Sequence, residues 1–279
     1  MVWTETTRAK HDRSSLRYAS DVTDAEWALI EPIMPPPSSV GRPREVNLRN
    51  VWDAVQYVLS GSIPWALLPK DFPPVSTVRY WFYRFRNEGL FELINDVLVM
   101  VARRHEGRKA EPTGGVIDSQ SVKTTEGGGP CGYDAGKKVK GRKRHIVTDT
   151  LGFLLSCIVH EANIQDRDGA QITIEEVLGR FPSLQHFFAD GGYRGDPLAT
   201  FVEGCDGRTI EIVKRPDDAK GFVVIAKRWV VERTFAWLGR CRRLAKDWEA
   251  SIESSKAWAY LASIRMLTRR LAKREDAKS

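Results

Sequence analysis

The sequence predicts an α/β fold in which a mixed sheet is flanked by helices, with a helical, helix-turn-helix-like part preceding it. Helical patterns separated by Pro- and Gly-rich turns fill residues 21–110, whereas short apolar strand patterns begin near residue 111. Three strand patterns come first and helices then alternate with strands, which is typical of a mixed sheet covered by helices. The 279 residues, 42% of them hydrophobic, suffice for one large domain or two smaller ones.

In the N-terminal part, three helices are predicted after a flexible polar arm. Thr23 and Glu26 have the spacing of a capping box, which begins the first helix. The second begins after Asn47, and the third is predicted as one helix from Ser76 to Arg104. Two helices joined by a turn, the later one rich in arginine and aromatic residues, are typical of a helix-turn-helix DNA reader.

The arginines of this part have two interpretations. Arg42 and Arg44 lie in a Gly-Arg-Pro-Arg segment, which is either an ordinary loop or an arm that lies in a DNA minor groove. Arg79 and Arg84 interleave with aromatic residues. We interpret the aromatic side chains as helical core, whereas these arginines could face DNA.

The second part begins with three strands and continues with alternating elements. The first strand ends in a Gly-rich basic loop, and the next two flank a turn at Thr150–Gly152. The predicted strands are 115–124, 144–150, 152–162, 184–190 and 209–215, and the predicted helices are 166–180, 196–205, about 226–246 and about 252–273.

The formal net charge of +7 is unevenly placed. Residues 207–279 carry 18 basic and 9 acidic side chains, whereas residues 111–206 carry 10 and 14. A basic region beside a carboxylate-rich one is typical of a polyanion partner, such as nucleic acid, and of a metal site; on charge alone, a role in solubility explains the pattern equally well.

Composition also bears on the compartment. No apolar run approaches the ~20 residues of a membrane span, and the polar N-terminus lacks a signal-peptide pattern. The spacing of the four cysteines fits neither a zinc site nor a small disulfide scaffold. We therefore expect a cytoplasmic protein with reduced cysteines and no membrane partner.

A basic run without an acidic residue leads into the second strand. It is either a solvated hairpin or a contact with the DNA backbone, and its position next to Asp118 in the predicted sheet favours DNA. The run consists of Lys137, Lys138, Lys140, Arg142, Lys143 and Arg144.

Two aspartates stand out on strands. Asp118 lies in the middle of the first strand, where a charge needs a partner or a metal unless that face is exposed. Asp190 ends an apolar strand before Gly191 and Gly192, a place where carboxylates commonly line ligand sites, although a turn-forming aspartate is the simpler interpretation.

A glutamate on the long helix completes the set. Glu232 shares a helical stripe with Arg228, Gly239 and Arg243 at the edge of the apolar face. An ordinary pair with Arg228 would contribute only ~0.3–0.5 kcal/mol. Together with two aspartates, however, this glutamate could hold two Mg²⁺ ions, with Mn²⁺ as a substitute, for in-line phosphoryl transfer.

Long sequence motifs support this interpretation. The N-terminal ones are DAEWALIEPIMP, GRPR, NVWDAVQYVLSGSIPWALLPKDFPP and STVRYWFYRFRNEGLFE. The later ones are GVIDSQSVKT, GKKVKGRKRHIVTDTLG, HEANIQD, FFADGGYRG and RWVVERTFAWLGRCRRLAKDWE. With these motifs, over about residues 21 to 250, the chain resembles the DDE transposases of bacterial insertion sequences, in the insertion sequence 5 family of the insertion sequence 4-like group.

The resemblance implies a ribonuclease H-like fold and assigns the three acidic roles to Asp118, Asp190 and Glu232. It also implies DNA contacts around the glutamate, where the wider group often has a Tyr, Arg, Glu and Lys signature. Arg228 matches the signature, whereas Ile225 and Gly239 stand at its Tyr and Lys positions. The cations nearby that could hold DNA instead are Arg233, Arg240, Arg242 and Arg243.

The sequence therefore predicts a metal-dependent DNA transposase. Residues 21–110 would bind the terminal repeats, residues 111–250 would cleave the element ends and join them to target DNA, and residues 251–279 would form a C-terminal helix and tail, after an arm at residues 1–20. Two element ends imply a homodimer or a larger assembly. The alternatives are a nuclease of the same fold that does not join ends and a transposase-derived DNA-binding regulator.

Overall fold

The computed structural model describes residues 12–37, 41, 44–213 and 226–275, and only the backbone of residues 226–228 and 274–275. Arg42, the side chain of Arg228 and the signature position Ile225 lie outside the described residues. The α-helices are α1 (Asp24–Ala28), α2 (Leu48–Gly61), α3 (Val75–Asn87), α4 (Leu90–His105), α5 (Asp166–Arg180), α6 (Asp196–Gly204), α7 (Ala226–Leu238) and α8 (Ile252–Glu275). The strands are β1 (Gly114–Lys123), β2 (Gly132–Asp134), β3 (Val139–Asp149), β4 (Leu154–Glu161), β5 (His186–Ala189) and β6 (Thr209–Ile212).

The strands form one mixed six-stranded sheet with helices packed against it. β3 is antiparallel to β1, β2 and β4, whereas β1, β5 and β6 are parallel to one another. The predicted α/β class, a mixed sheet flanked by helices, is thus confirmed. The three-residue strand β2, within the Gly-rich loop, was not expected, because so short a strand has no detectable periodicity.

Local signals explain where several helices begin and end. Thr23 accepts a hydrogen bond from the Glu26 amide and Glu26 reaches back to the Thr23 amide, so the predicted capping box is present. Asn47 caps α2 as expected. The single helix predicted from Ser76 to Arg104 was wrong: Gly89, with a φ of +68°, separates α3 from α4 because a left-handed residue interrupts the helix.

The helix that carries Glu232 is shorter than predicted. α7 ends at Leu238 rather than near Lys246, and Gly239 follows it. The chain then forms a short 3₁₀ turn over Arg242–Leu244 and bonds to the end of β1, where the Asp247 amide donates to the Lys123 carbonyl at 2.9 Å. This segment ties the region after α7 to the sheet.

Helix α8 lies between the N-terminal helices and the sheet. It contacts α2, α3 and α4 on one side and β4 on the other. Trp258 of α8 is 1% exposed and stacks on Phe82 of α3 with ring centroids 4.6 Å apart. One continuous cluster of buried hydrophobic side chains, from Val22 to Leu271, therefore includes both parts of the chain.

Two further expectations concern composition. Cys131, Cys157, Cys205 and Cys241 are all free thiols, as predicted. Within the described ranges, no helix has the length and hydropathy needed to cross a membrane.

Candidate active site

The first two predicted carboxylates lie side by side. β1 and β5 are parallel, with Val116 in register with Phe188. Two residues further along each strand, on the same face, the chain reaches Asp118 and Asp190. Both are half-buried, and both line one pocket with apolar side chains of the sheet and of α7. Local hydrogen bonds from the backbone amides of Ser119 (2.7 Å) and Gly192 (2.8 Å) fix the carboxylates.

The third carboxylate is on the helix that covers this pocket. α7 packs against β1, β3 and β5, and Val231 lines the pocket. Glu232 follows Val231 and its side chain is exposed. α7 is held to the turn after β3, since Thr234 Oγ1 donates to the Gly152 carbonyl at 2.8 Å. Gly152 has a φ of +88°, which favours glycine, and a Cβ there would lie 3.1 Å from Thr234 Oγ1, so both the backbone conformation and the close approach of α7 disfavour a larger residue.

The chemistry of these three side chains fits a divalent metal, although they are not assembled around one. All three offer carboxylate oxygens, the ligands that Mg²⁺ and Mn²⁺ prefer. Among the residues that the structure describes, no three His, Cys, Asp or Glu side chains are arranged to hold a metal ion. Asp118 and Asp190 are the neighbouring pair, and Glu232 would have to turn toward them.

A polar cluster lies on the opposite face of β1 and β3, beneath α5. Ser119 Oγ donates to Asp166 Oδ1 at 2.8 Å, and Lys143 Nζ lies 2.7 Å from the same oxygen. Lys137 Nζ donates to the carbonyl and the hydroxyl oxygen of Ser119 at 3.1 and 3.0 Å. Burial favours a raised pKa for Asp166, but the hydrogen bonds from Lys143 and Ser119 outweigh it and lower the pKa. The cluster therefore begins one residue away from Asp118.

Two histidines form the floor of this cluster. His145 Nδ1 and His160 Nε2 are 2.7 Å apart, and His160 Nδ1 lies 2.8 Å from the Glu161 carbonyl. That carbonyl can only accept, so Nδ1 of His160 carries a proton and, in the neutral pair, His145 Nδ1 donates to His160 Nε2. Burial, together with His160, lowers the pKa of His145 to about 3, so the pair is uncharged at neutral pH.

Tyr193 connects the cluster with the two aspartates. Its side chain is 1% exposed, and its ring meets His145 edge-on at 5.9 Å between centroids. Tyr193 Oη is among the buried polar atoms of the described residues that make no hydrogen bond of good geometry. Burial raises its pKa well above the ordinary value, and the charges of Asp118, Asp166 and Asp190 raise it further.

The structure corrects half of the predicted basic DNA-contact run. Arg142, Lys143 and Arg144 are at most 4% exposed, because successive residues of a strand point to opposite faces and both faces of β3 are covered. Arg142 donates to the carbonyls of Pro130, Glu249 and Ala250, and Arg144 donates to those of Leu244 and Lys246. These side chains hold the segment after α7 on the sheet and are not available to DNA.

Arg243 is a second correction. It is 7% exposed, pairs with Glu249 at 2.6 Å, donates to the Ile63 carbonyl and lies over the Trp258 ring. It therefore joins the N-terminal helices to α8 instead of contacting DNA.

The other predicted basic residues lie at the surface or partly so. Lys137, Lys138, Lys140, Arg79 and Arg240 are exposed, whereas Arg44, Arg84 and Arg233 are half-buried. Arg44 and Arg84 lie over the Trp81 ring, and Arg84 also pairs with Glu88 at 2.8 Å. The Arg233 guanidinium lies between the rings of Trp229 and Trp237, 4.5 and 4.4 Å from their centroids.

Sequence reasoning undervalued Asp166. Asp166 lies in the first turn of α5, after Gln165, which occupies the N-cap position without a side-chain hydrogen bond. The signal that could have identified Asp166 is the alternation of residues along the strands, which places Ser119, Lys143 and His145 on one face.

Comparison with known proteins places this site in a family. The profile of the family described as "Transposase DDE domain" matches residues 109–267, more than half of the chain, including all three carboxylates. The chain belongs to the DDE transposase family. A second profile, "Putative transposase of IS4/5 family", matches residues 22–95, as the predicted family resemblance requires.

One curated relative supports the same assignment. A putative transposase for insertion sequence element IS402 from Burkholderia cepacia is 35% identical over 119 residues, which are 37% of this DDE transposase-family chain and 52% of the relative. The match thus spans about half the length of that protein. No solved structure matches the chain.

Proposed function

We propose that this protein is a metal-dependent DNA transposase that cleaves the ends of an insertion sequence and joins the 3′-hydroxyl ends to target DNA. One observation carries the proposal. Asp118, in the middle of β1, and Asp190, directly after β5, lie side by side on neighbouring parallel strands, beneath the helix that carries Glu232, in a chain that belongs to the DDE transposase family. The IS402 transposase relative points to the same reaction.

The strand order supports a ribonuclease H-like catalytic fold. A central β1 lies between the antiparallel β3 and the parallel β5, with β4 and β6 outside them. We infer domain limits of 21–110 for the N-terminal helical part, 111–250 for the catalytic part and 251–279 for the C-terminal helix and tail, after the arm at 1–20. Contacts of α8 with both parts support a fixed arrangement.

Asp118, Asp190 and Glu232 would hold Mg²⁺, with Mn²⁺ as a substitute. A bound divalent metal would activate water or a 3′-hydroxyl as nucleophile and stabilise the leaving oxygen. The chain itself binds and orients the DNA. Half-burial of the aspartates beneath α7 limits their access to water and strengthens their interaction with cations.

Two groups of basic residues would hold the DNA. In the catalytic part these are Lys137, Lys138, Lys140, Arg228, Arg233 and Arg240. In the N-terminal part they are Arg42, Arg44, Arg79 and Arg84, which we propose for the terminal repeats. The net positive charge supports contact with a polyanion. Pairing two element ends would need a homodimer or a larger assembly, acting on nucleoid DNA in the cytoplasm.

A joining assay distinguishes this function from its alternatives. The substrate is a duplex with the sequence of the DNA that flanks the reading frame, pre-cleaved so that it has a free 3′-hydroxyl end. It is mixed with supercoiled plasmid and Mg²⁺. The transposase joins the duplex to the plasmid. A nuclease nicks DNA but never joins it, and a regulator binds the duplex without either reaction; either outcome would refute the proposal.

A further inference from the structure

Lys137 differs from the other exposed lysines of its loop in being held in one place. Its amide donates to Asp134 Oδ1 at 2.9 Å, which fixes the turn, and its ammonium donates to both Ser119 oxygens. The side chain is nevertheless 41% exposed. Within the described part of the chain, the side chains of Lys138 and Lys140 make no hydrogen bond or ion pair, so they are matched, unfixed neighbours.

The direction of the Ser119 hydroxyl follows from its partners. The ionised carboxylate of Asp166 can only accept, and the Lys137 ammonium can only donate. Ser119 Oγ must therefore donate to Asp166 and accept from Lys137, which orders the three groups as Asp166, Ser119, Lys137.

The geometry leaves one N–H group of Lys137 available to an anion. The buried Lys143 lies 2.7 Å from Asp166 Oδ1 and 3.6 Å from Asp134 Oδ2, whereas the exposed Lys137 Nζ is 4.0 Å from Asp166 Oδ2. Lys137 thus uses two of its three N–H groups on the uncharged oxygens of Ser119 and keeps its positive charge at the surface. A Cβ on Gly192 would lie 3.1 Å from Asp190 Oδ1 and 3.6 Å from Asp166 Oδ2, so the cluster reaches the edge of the candidate active site beside Asp190.

We propose that Lys137 binds a DNA backbone phosphate next to the bond that is cleaved, and that Asp166, acting through Ser119, is the positioning residue that holds it there. The inference rests on the proposed function and deepens it, since it separates one phosphate contact made at the reaction centre from general contacts with the DNA backbone. A fixed ammonium beside developing phosphate charge stabilises the transition state without reorganising.

The test pairs side-chain variants with neutral phosphates. Wild-type cleavage of the flanking-DNA duplex is mapped first, and methylphosphonates, which carry no charge, are then placed singly at each phosphate around the cleaved bond. Single-turnover rates at saturating duplex are measured for the wild type, Lys137→Met, Asp166→Asn and the controls Lys109→Met and Asp168→Asn, which alter exposed residues outside the proposed DNA contacts.

We expect Lys137→Met to lower the rate about 10²-fold, in line with the loss of one preorganised donor, and Lys137→Arg to restore part of it. At one position, a methylphosphonate should slow cleavage by the wild type but should not slow cleavage by Lys137→Met further. In Asp166→Asn, the methylphosphonate at that position should slow cleavage less than it does in the wild type. The controls should keep the full sensitivity.

The outcomes separate the two proposals. A wild type that does not cleave, with every metal supplied, contradicts the proposed function. The inference is overturned if the wild type cleaves and Lys137→Met cleaves at the same rate. It is also overturned if methylphosphonates slow Lys137→Met as much as they slow the wild type at every position. If Asp166→Asn leaves that phosphate sensitivity unchanged, the positioning role of Asp166 is wrong.

Discussion

At the scale of single residues, the buried histidine pair makes the stability of the fold depend on pH. The pKa of His145 is lowered to about 3 by burial, and burial also lowers that of His160. The unfolded chain, with a histidine pKa of ~6.5, binds protons that the folded chain excludes. Stability contributed by the neutral histidines is complete above this value and is lost as the pH falls toward the folded pKa.

We therefore expect the free energy of unfolding to fall by about 1.4 kcal/mol per pH unit for His145 between about pH 6 and 4. In His145→Asn, the dependence of the unfolding free energy on pH should be less steep by that amount, whatever the effect of the substitution on stability at pH 7. Urea unfolding at several pH values measures it, with His105→Asn, at an exposed histidine, as the control. An unchanged slope in His145→Asn would contradict the buried neutral state.

Candidate residues could be selected from the sequence where the signal is local, but their environment could not be predicted where packing decides it. Asp118 and Asp190 were recognisable because carboxylates are unusual in apolar strands, whereas their alignment depends on the pairing of β1 with β5. The burial of Arg142 and Arg144 was not predictable from a basic run, because it depends on distant carbonyls of residues 244–250.

At the scale of elements, α5 packs against the histidine pair through one glycine. A Cβ on Gly169 would lie 2.5 Å from His145 Cε1 and 2.6 Å from His160 Nε2, whereas a Cβ on Gly179 of the same helix would meet nothing within 4 Å. The elements themselves were largely predictable from periodicity. The division of α3 from α4, which the left-handed Gly89 sets, and the early end of α7 were missed.

The two glycines give a prediction of opposite sign. Gly179→Ala should stabilise the protein by ~0.5–1 kcal/mol through helix propensity, whereas Gly169→Ala should destabilise it by ~1–3 kcal/mol through overpacking. Denaturant midpoints measure both. If Gly169→Ala also stabilises, α5 does not lie as close to the histidines as described.

At the scale of the whole molecule, α8 holds the N-terminal helices against the sheet. Trp258 contacts Phe82 and Trp65 of the N-terminal part, and the Arg243 guanidinium lies over its ring. The sequence indicated a helical part followed by a part with alternating strands and helices. It did not indicate this shared core, because the contacts join residues that are far apart in the chain.

Removing that contact should destabilise both parts together. Trp258→Ala should cost ~3–5 kcal/mol of unfolding free energy, and circular dichroism and tryptophan fluorescence should show one coincident transition. Trp248→Ala, at a side chain that is 42% exposed, is the control with a small effect. Two separate transitions in the wild type would mean that the parts unfold independently.

DNA affinity is a property of the whole charged surface. Lys138→Met combined with Lys140→Met should weaken binding to duplex DNA of any sequence and reduce the slope of log K against log salt by about 0.9 per lost phosphate contact. Fluorescence anisotropy over a salt series measures the slope. An unchanged slope would exclude Lys138 and Lys140 from the DNA interface.

The central claim is that three carboxylates from β1, β5 and α7 act as one metal-dependent site. The most direct measurement is the single-turnover cleavage rate of the flanking-DNA duplex in Mg²⁺, for the wild type, Asp118→Asn, Asp190→Asn, Glu232→Gln and the control Asp168→Asn, with duplex affinity measured alongside. We predict that each of the first three variants loses about 10³-fold or more in rate, roughly 4 kcal/mol, while binding the duplex as the wild type does. The control should cleave normally. Cleavage at the wild-type rate by any one of the three variants would contradict the claim.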